Sequence, residues 1–199
     1  MSKKNKAVFS GMLTDLSKTA ELIFITIFTV ALFFTYVLRP VTVNGESMLP
    51  TLNSGDQLLI TGFSGNIENG DIVIADCNEA VLLSEERTPE YRKGIEKLIV
   101  KRVVAVEGQT VDIDFEKGLV YIDGVLLNEP YISGLTHLDG GAFTDKYPVT
   151  VPEGYLFLMG DNRANSKDSR DSAIGFVSEE AVIGKLVCRI SPFDDMKIF

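Results

Sequence analysis

Leu98-Ile99-Val100-Lys101-Arg102-Val103-Val104-Ala105-Val106 is an aliphatic, mostly β-branched run interrupted by two cations. Its length and β-branching read as an interior strand. Residues 99, 101, 103 and 105 share one face, and 100, 102, 104 and 106 share the other. Lys101 and Arg102 therefore point opposite ways. Arginine stays charged, so Arg102 must reach water or a carboxylate. Lysine can give up its proton when desolvated, and neutrality near pH 7 then costs the ammonium form about 4 kcal/mol of relative stability. On the strand alone, a lysine snorkelling from the sheet rim is the more ordinary reading.

Similar short runs flank this strand: Val41–Val43, Leu58–Thr61, Ile72–Ala75, Val111–Ile113, Leu119–Ile122, Val125–Leu127, Tyr155–Met159 and Val182–Ile190. Gly, Asp, Asn and Pro separate them, which predicts a mainly β domain. Asp123-Gly124 between two apolar runs predicts a tight hairpin. Residues 76–97 are charged and read as an exposed irregular excursion. Residues 128–147 are Gly-rich and read as a long loop or small subdomain.

The N-terminal part differs. Leu22 to Leu38 carries no charge. Residues 19–38 make a helix of roughly 30 Å, the thickness of a bilayer core. A cleaved signal peptide is the competing reading, but the run is long for one and ends in Leu38-Arg39-Pro40 without a small-x-small site. Lys3, Lys4, Lys6 and Lys18 precede the span, so residues 1–18 are expected in the cytoplasm and 39–199 outside it. The chain has 19 basic and 28 acidic side chains, a net charge of −9. With the four leading lysines set aside the remainder is more acidic still, which argues against nucleic acid as a partner. Cys77 and Cys188 both fall in the exported part, where a disulfide is permitted, though two free thiols fit their apolar settings equally well. No zinc spacing or metal-binding motif is present.

Two further stretches carry chemistry. Ser47 lies in Val43-Asn44-Gly45-Glu46-Ser47-Met48-Leu49-Pro50-Thr51-Leu52, just beyond the span. Gly45-x-Ser47 lacks the second glycine of a hydrolase elbow, since Leu49 stands there. Locally Ser47 could be a turn serine. A Ser-His-Asp triad would rest on His137, the one histidine, which has no supporting motif. Residues 155–170 run from an apolar strand into a loop dense in donors and acceptors. Arg163 at its third position rules out a calcium loop, and such a loop can instead brace an active site.

G-E-S-M-L-P-T-L (45–52), G-D-I-V-I (70–74), K-R-V-V-A-V-E-G (101–108) and G-D-N-R-A-N-S-K-D-S-R (160–170) follow in that order. In these motifs the chain resembles the type I signal peptidases, Ser-Lys endopeptidases that remove signal peptides from exported proteins. The similarity spans the anchor and residues 41–75, 98–130 and 148–190. One anchor and a compact ectodomain are similar to the Gram-positive branch. The resemblance implies a β-sheet-rich catalytic domain (39–199) on one transmembrane helix of the plasma membrane. It implies Ser47 as nucleophile, Lys101 as general base, and Ser166 as the group that orients the lysine amine. Asp161, Asp168 and Arg170 would brace the site. Val43, Met48 and Val100 would wall the substrate pocket, with Met48 and Pro50 shaping the turn. The implied substrates are preproteins emerging from the export machinery at the lipid bilayer, cut after Ala-x-Ala, with no cofactor. Gly45 stands where many Gram-negative relatives place a serine, which leaves the Ser47 N–H as the first oxyanion donor. Glu46 has no role by this comparison, and the chain after Arg170 is about two residues longer than the family pattern. Two other readings are an inactive membrane-tethered binding protein and a self-cleaving Ser-Lys repressor. The first would have lost Ser47 or Lys101, and the second would need a helix-turn-helix in residues 1–40.

Overall fold

A computed structural model describes residues 3–62 and 65–199, with side chains from residue 15 onward. One helix, α1 (Lys3–Tyr36), opens the chain. Its segment Asp15–Tyr36 is long and apolar enough to cross a membrane, and none of it is buried against the protein. Leu22, Phe24, Ile27 and Phe28 stand fully outward. The hydroxyls of Thr19, Thr26 and Thr35 donate back to the carbonyls of Asp15, Leu22 and Ala31 at 2.9, 2.8 and 2.7 Å. Those bonds satisfy polar groups that lipid could not. The helix stops at Tyr36, two residues before the expected end at Leu38. Arg39 precedes Pro40 and is biased out of the helical region. Leu38 already pairs with Thr61.

Fourteen strands follow among the described residues. They are β1 (Leu38–Thr42), β2 (Gln57–Thr61), β3 (Ile72–Asp76), β4 (Glu79–Leu83), β5 (Pro89–Lys93), β6 (Leu98–Ala105) and β7 (Thr110–Asp114). Then come β8 (Leu119–Ile122), β9 (Val125–Leu126), β10 (Val149–Thr150), β11 (Tyr155–Met159), β12 (Val177–Ser178), β13 (Val182–Ser191) and β14 (Lys197–Ile198). The main sheet runs β1-β2-β13-β3-β6-β11-β12, with β14 also paired to β13. Pro40 lies in β1, at the sheet edge, where a missing donor is tolerated. The strand carrying Lys101 is interior, between β3 and β11. The ten-residue β13 bends: its first half pairs with β3, its second with β2, and the register shifts between. A Cβ at Gly184 would strike the Thr61 carbonyl, so the bend needs a glycine there.

A second sheet, β10-β7-β8-β9, forms the other lobe. The expected hairpin closes through Asp123 and Gly124 at φ 52 and 76, the left-handed pair that a primed turn requires. One correction concerns residues 76–97. They are not irregular: β4 and β5 form a hairpin from Glu79 to Lys93. Ala80-Val81-Leu82-Leu83 is buried against the second lobe, and the charges that masked the pattern sit on the edge strand β5. Residues 128–147 have no regular strand, but they feed Phe143 into an aromatic core. Phe143 meets Phe176 at 4.6 Å and Phe157 at 6.1 Å between ring centroids.

Phe143 is the loop's anchor in that core, so Phe143→Ala should cost about 3–5 kcal/mol. Thermal and denaturant unfolding of the full-length protein in detergent measures it. A loss under about 1 kcal/mol would show that the loop does not depend on this side chain.

Candidate active site

Ser47 lies in a turn held from three sides. Gly45 sits at φ +102, a conformation in which any side chain is strained. Met48 and Leu52 are buried pegs, packed with Val43, Leu58, Ile72 and Leu186. The Leu52 N–H closes the turn on the Met48 carbonyl at 2.9 Å. From the loop after β11, the Asn162 N–H donates to the Ser47 carbonyl at 3.0 Å, and its side-chain amide to the Glu46 carbonyl at 3.0 Å. A Cβ on Gly160 would collide with the Ser47 carbonyl oxygen and the Ser166 hydroxyl. That glycine lets the two loops touch. From below, Arg189 donates to the Thr51 carbonyl at 3.2 Å and to Asp56 at 2.9 Å.

Lys101 comes from β6, directly opposite Val73 of β3, and is 3% exposed. Its Nζ lies 2.7 Å from Ser47 Oγ and donates to the Val100 carbonyl at 2.9 Å. The fold thus joins two residues 54 positions apart. Burial pushes the Lys101 amine below its ordinary value of 10.5. Asp168, Cys77 and Asp161 pull the other way and Arg170 reinforces the drop, and the balance is a lowering. The two carboxylates hold Lys101 protonated less than bare charges would, because each is taken by an arginine.

Asp161 receives Arg102 Nε at 2.8 Å and Nη2 at 2.7 Å. It also accepts from Thr51 Oγ1 at 2.5 Å, tying the pair to the Ser47 turn. Asp168 receives Arg170 Nε and Nη2, each at 2.8 Å, and the Gly160 N–H at 2.9 Å. Burial alone would raise the Asp168 carboxyl; Arg170 and Gly160 outweigh it and hold the group below the usual carboxylate value. Arg102 therefore reaches a carboxylate from the opposite face to Lys101, as strand alternation requires.

The remaining expected residues fall as follows. Val43, Met48 and Val100 line a cleft of about 260 Å³ that contains Ser47 and Lys101, together with Val41, Ile74 and Leu98. Pro50 lies in the Ser47 turn. Ser166 is buried beside Asp168 and lends its carboxylate some stabilisation, yet its Oγ has no partner in hydrogen-bonding geometry. The amine that it was expected to orient bonds Ser47 and Val100 instead. The added residues after Arg170 form a turn closed on the Asp171 carbonyl by Ile174 and Gly175 N–H groups at 2.9 and 3.0 Å. His137 takes no part in the cleft; its Nδ1 bonds the Phe115 carbonyl at 3.0 Å. Cys77 and Cys188 are free thiols. Among the described residues, no group of His, Cys, Asp and Glu could hold a metal ion.

The depressed Lys101 predicts a pH signature in stability. Its folded value lies below its unfolded value, so between the two the unfolded chain binds more protons. Stability therefore rises with pH across that window. Lys101→Met has nothing to titrate there. Its stability relative to wild type should be greatest on the acid side and should shrink as pH approaches 10.5. Unfolding midpoints of both proteins at several pH values check this. A relative stability independent of pH would mean that Lys101 is not desolvated.

The family described as "Signal peptidase, peptidase S26" matches residues 16–191. Signal peptidase I of Bacillus amyloliquefaciens is 32% identical over 169 residues, covering 81% of this chain and 78% of that one. Signal peptidase IB of Staphylococcus aureus (strain COL) is 31% identical over 189 residues, covering 87% of each. A crystal structure of a signal peptidase I from Enterococcus faecalis V583 aligns with a TM-score of 0.43 at 25% identity, over 61% of this chain and 97% of that one. With the family matched across the turn, the lysine strand and the polar loop alike, this chain belongs to the signal peptidases of family S26.

Proposed function

We propose that this protein is a membrane-bound serine endopeptidase that removes signal peptides from exported preproteins by a Ser-Lys mechanism. The observation that carries the reading is the 2.7 Å contact between Ser47 Oγ and a buried Lys101 amine. With the amine neutral, the Ser47 hydroxyl donates to its lone pair. Lys101 takes the proton as Ser47 attacks the scissile carbonyl. The Ser47 N–H, which has no partner within the protein among the described residues, serves the developing oxyanion. Gly45 offers no side chain for that task. The protonated lysine then returns its proton to the leaving amine, and water resolves the acyl-enzyme by the same route in reverse.

The cleft fits an extended substrate that presents small side chains. Val43, Met48 and Val100 wall it with aliphatic surface, and its size suits alanine at alternate positions, the small-x-small pattern. Asp161, Asp168 and Arg170 act as braces. Ser166, unpartnered beside the site, orients the amine when the lysine moves between its two protonation states.

The membrane reading rests on α1 and on the distribution of lysines around it, with residues 1–18 inside, 19–38 as anchor and 39–199 outside. A second feature supports it. Phe193 and Ile198 are 85% and 82% exposed. Ile198 lies on β14, which pairs with β13, β13 with β2, and β2 with β1, the strand that leaves the helix. At about 4.8 Å per strand, this apolar patch sits on the order of 15 Å from the anchor's exit. The cleft is thereby held at the bilayer surface, where preproteins emerge from the export machinery.

The test is incubation of the full-length protein in lipid vesicles with a preprotein, followed by mass determination of the new N-terminus. One cut after Ala-x-Ala is expected. Ser47→Ala and Lys101→Arg should each lower the rate by at least about a thousandfold while remaining folded, since guanidinium cannot act as a base. Cleavage elsewhere, or an active Lys101→Arg, would overturn the assignment.

A further inference from the structure

The loop after β9 contributes two side chains that none of the four sequence motifs contains. The Glu129 side chain is 7% exposed and grips Arg163 with both carboxylate oxygens, Oε2 at 3.0 Å from Nη1 and Oε1 against Nη2. Arg163 is 1% exposed. It also donates to Thr136 Oγ1 at 2.7 Å and to the Gly160 carbonyl at 3.2 Å. The Arg163 carbonyl receives Arg170 Nη1 at 3.0 Å. Tyr131 lies two residues further on. Its hydroxyl donates to Glu129 Oε1 at 3.2 Å, and its ring lies 4.0 Å beneath the Arg102 guanidinium carbon.

We propose that Glu129 and Tyr131 are positioning residues of the peptidase reaction, clamping Arg102 onto Asp161 and so holding the Ser47 turn against the Lys101 strand. The inference rests on the peptidase reading above. Arg102 spends its edge on Asp161 and on the Gly70 carbonyl, at 2.8 Å from Nη1. Its face is open to water unless something covers it, and the Tyr131 ring is that cover. A desolvated guanidinium binds its carboxylate more strongly, and the ring adds its own attraction for the cation. Asp161 then has its charge neutralised, and its Oδ2, shared between Arg102 Nη2 and Thr51 Oγ1, links the pair to the Ser47 turn. Glu129 fixes Tyr131 from behind and is itself held by Arg163, on the loop that carries Asp161.

This arrangement has a kinetic signature. Lys101 feels Asp168, Cys77, Asp161 and Arg170. Of these, Asp161 is the one whose compensation depends on Tyr131. When the ring is removed, water reaches Arg102 and the Asp161 charge is less well cancelled. The ammonium form of Lys101 gains, and the acid limb of kcat/KM moves to higher pH. Substrate contacts are untouched, because neither residue lines the cleft.

The experiment compares Tyr131→Phe, Tyr131→Leu and Glu129→Gln with wild type as full-length enzymes in lipid vesicles, using a short Ala-x-Ala peptide. Tyr131→Phe keeps the ring over Arg102 but loses the hydroxyl held by Glu129, so its loss should be smaller than that of Tyr131→Leu and similar to that of Glu129→Gln. Tyr131→Leu should lower kcat about tenfold, leave KM within about twofold, and shift the acid limb upward by about half a pH unit. Glu129→Gln should show the same pattern in smaller measure. Equal kcat and an unshifted limb in Tyr131→Leu would overturn the proposal. So would a loss that tracks only the unfolded fraction, with the folded remainder showing the wild-type profile. The wild-type rate, measured alongside, reads the peptidase assignment separately.

Discussion

A lysine amine held without water against a serine hydroxyl is the constraint on which the rest of this structure depends. The 2.7 Å contact between Lys101 and Ser47 is useful as chemistry only if the amine sheds its proton. Burial supplies the drive, and nearby carboxylates oppose it. The fold answers by assigning an arginine to each: Arg102 to Asp161 and Arg170 to Asp168. Such pairs rarely add stability, because desolvation offsets most of the attraction. Here they fix the geometry of two loops while limiting how strongly the carboxylates hold Lys101 protonated.

The same logic recurs around the Ser47 turn. Arg189 joins Asp56 and the Thr51 carbonyl from below, and Asp195 near the end of the chain closes over it. Arg163 joins the 128–147 loop to the loop after β11. Arg102, through Asp161 and Thr51, and Arg189, directly, thus tie strands remote in sequence to one short turn. Deleting either partner of such a pair strands a buried charge, which costs several kcal/mol. The apolar layer beneath, Met48 and Leu52 with Leu58 and Ile72, supplies the stability that the polar layer does not. Gly160, where no Cβ fits, lets the polar layer approach the serine backbone.

Much of this was legible in the sequence. Short apolar runs bounded by Gly, Asp, Asn and Pro placed the strands around Leu58, Ile72, Lys101, Val111, Tyr155 and Val182, and Asp123-Gly124 fixed a hairpin. Strand alternation separated Lys101 from Arg102 and required water or a carboxylate for the latter, and the structure supplies Asp161. Three things were hidden. The hairpin from Glu79 to Lys93 was masked because charged residues enclose its short apolar run, Ala80–Leu83, and its partner strand is itself charged. The Glu129–Arg163 pair leaves no local trace, since a long-range ion pair has no period or spacing. The bond expected between Ser166 and the lysine amine is not made; the amine bonds Ser47 and the Val100 carbonyl instead.

The central claim is that Lys101 is a desolvated base. The direct measurement is an NMR titration of the full-length protein with lysine labelled at Cε, the Lys101 signal being assigned by its loss in Lys101→Met. One lysine should titrate well below the rest and below its ordinary 10.5. A Lys101 that titrates together with the surface lysines would contradict it.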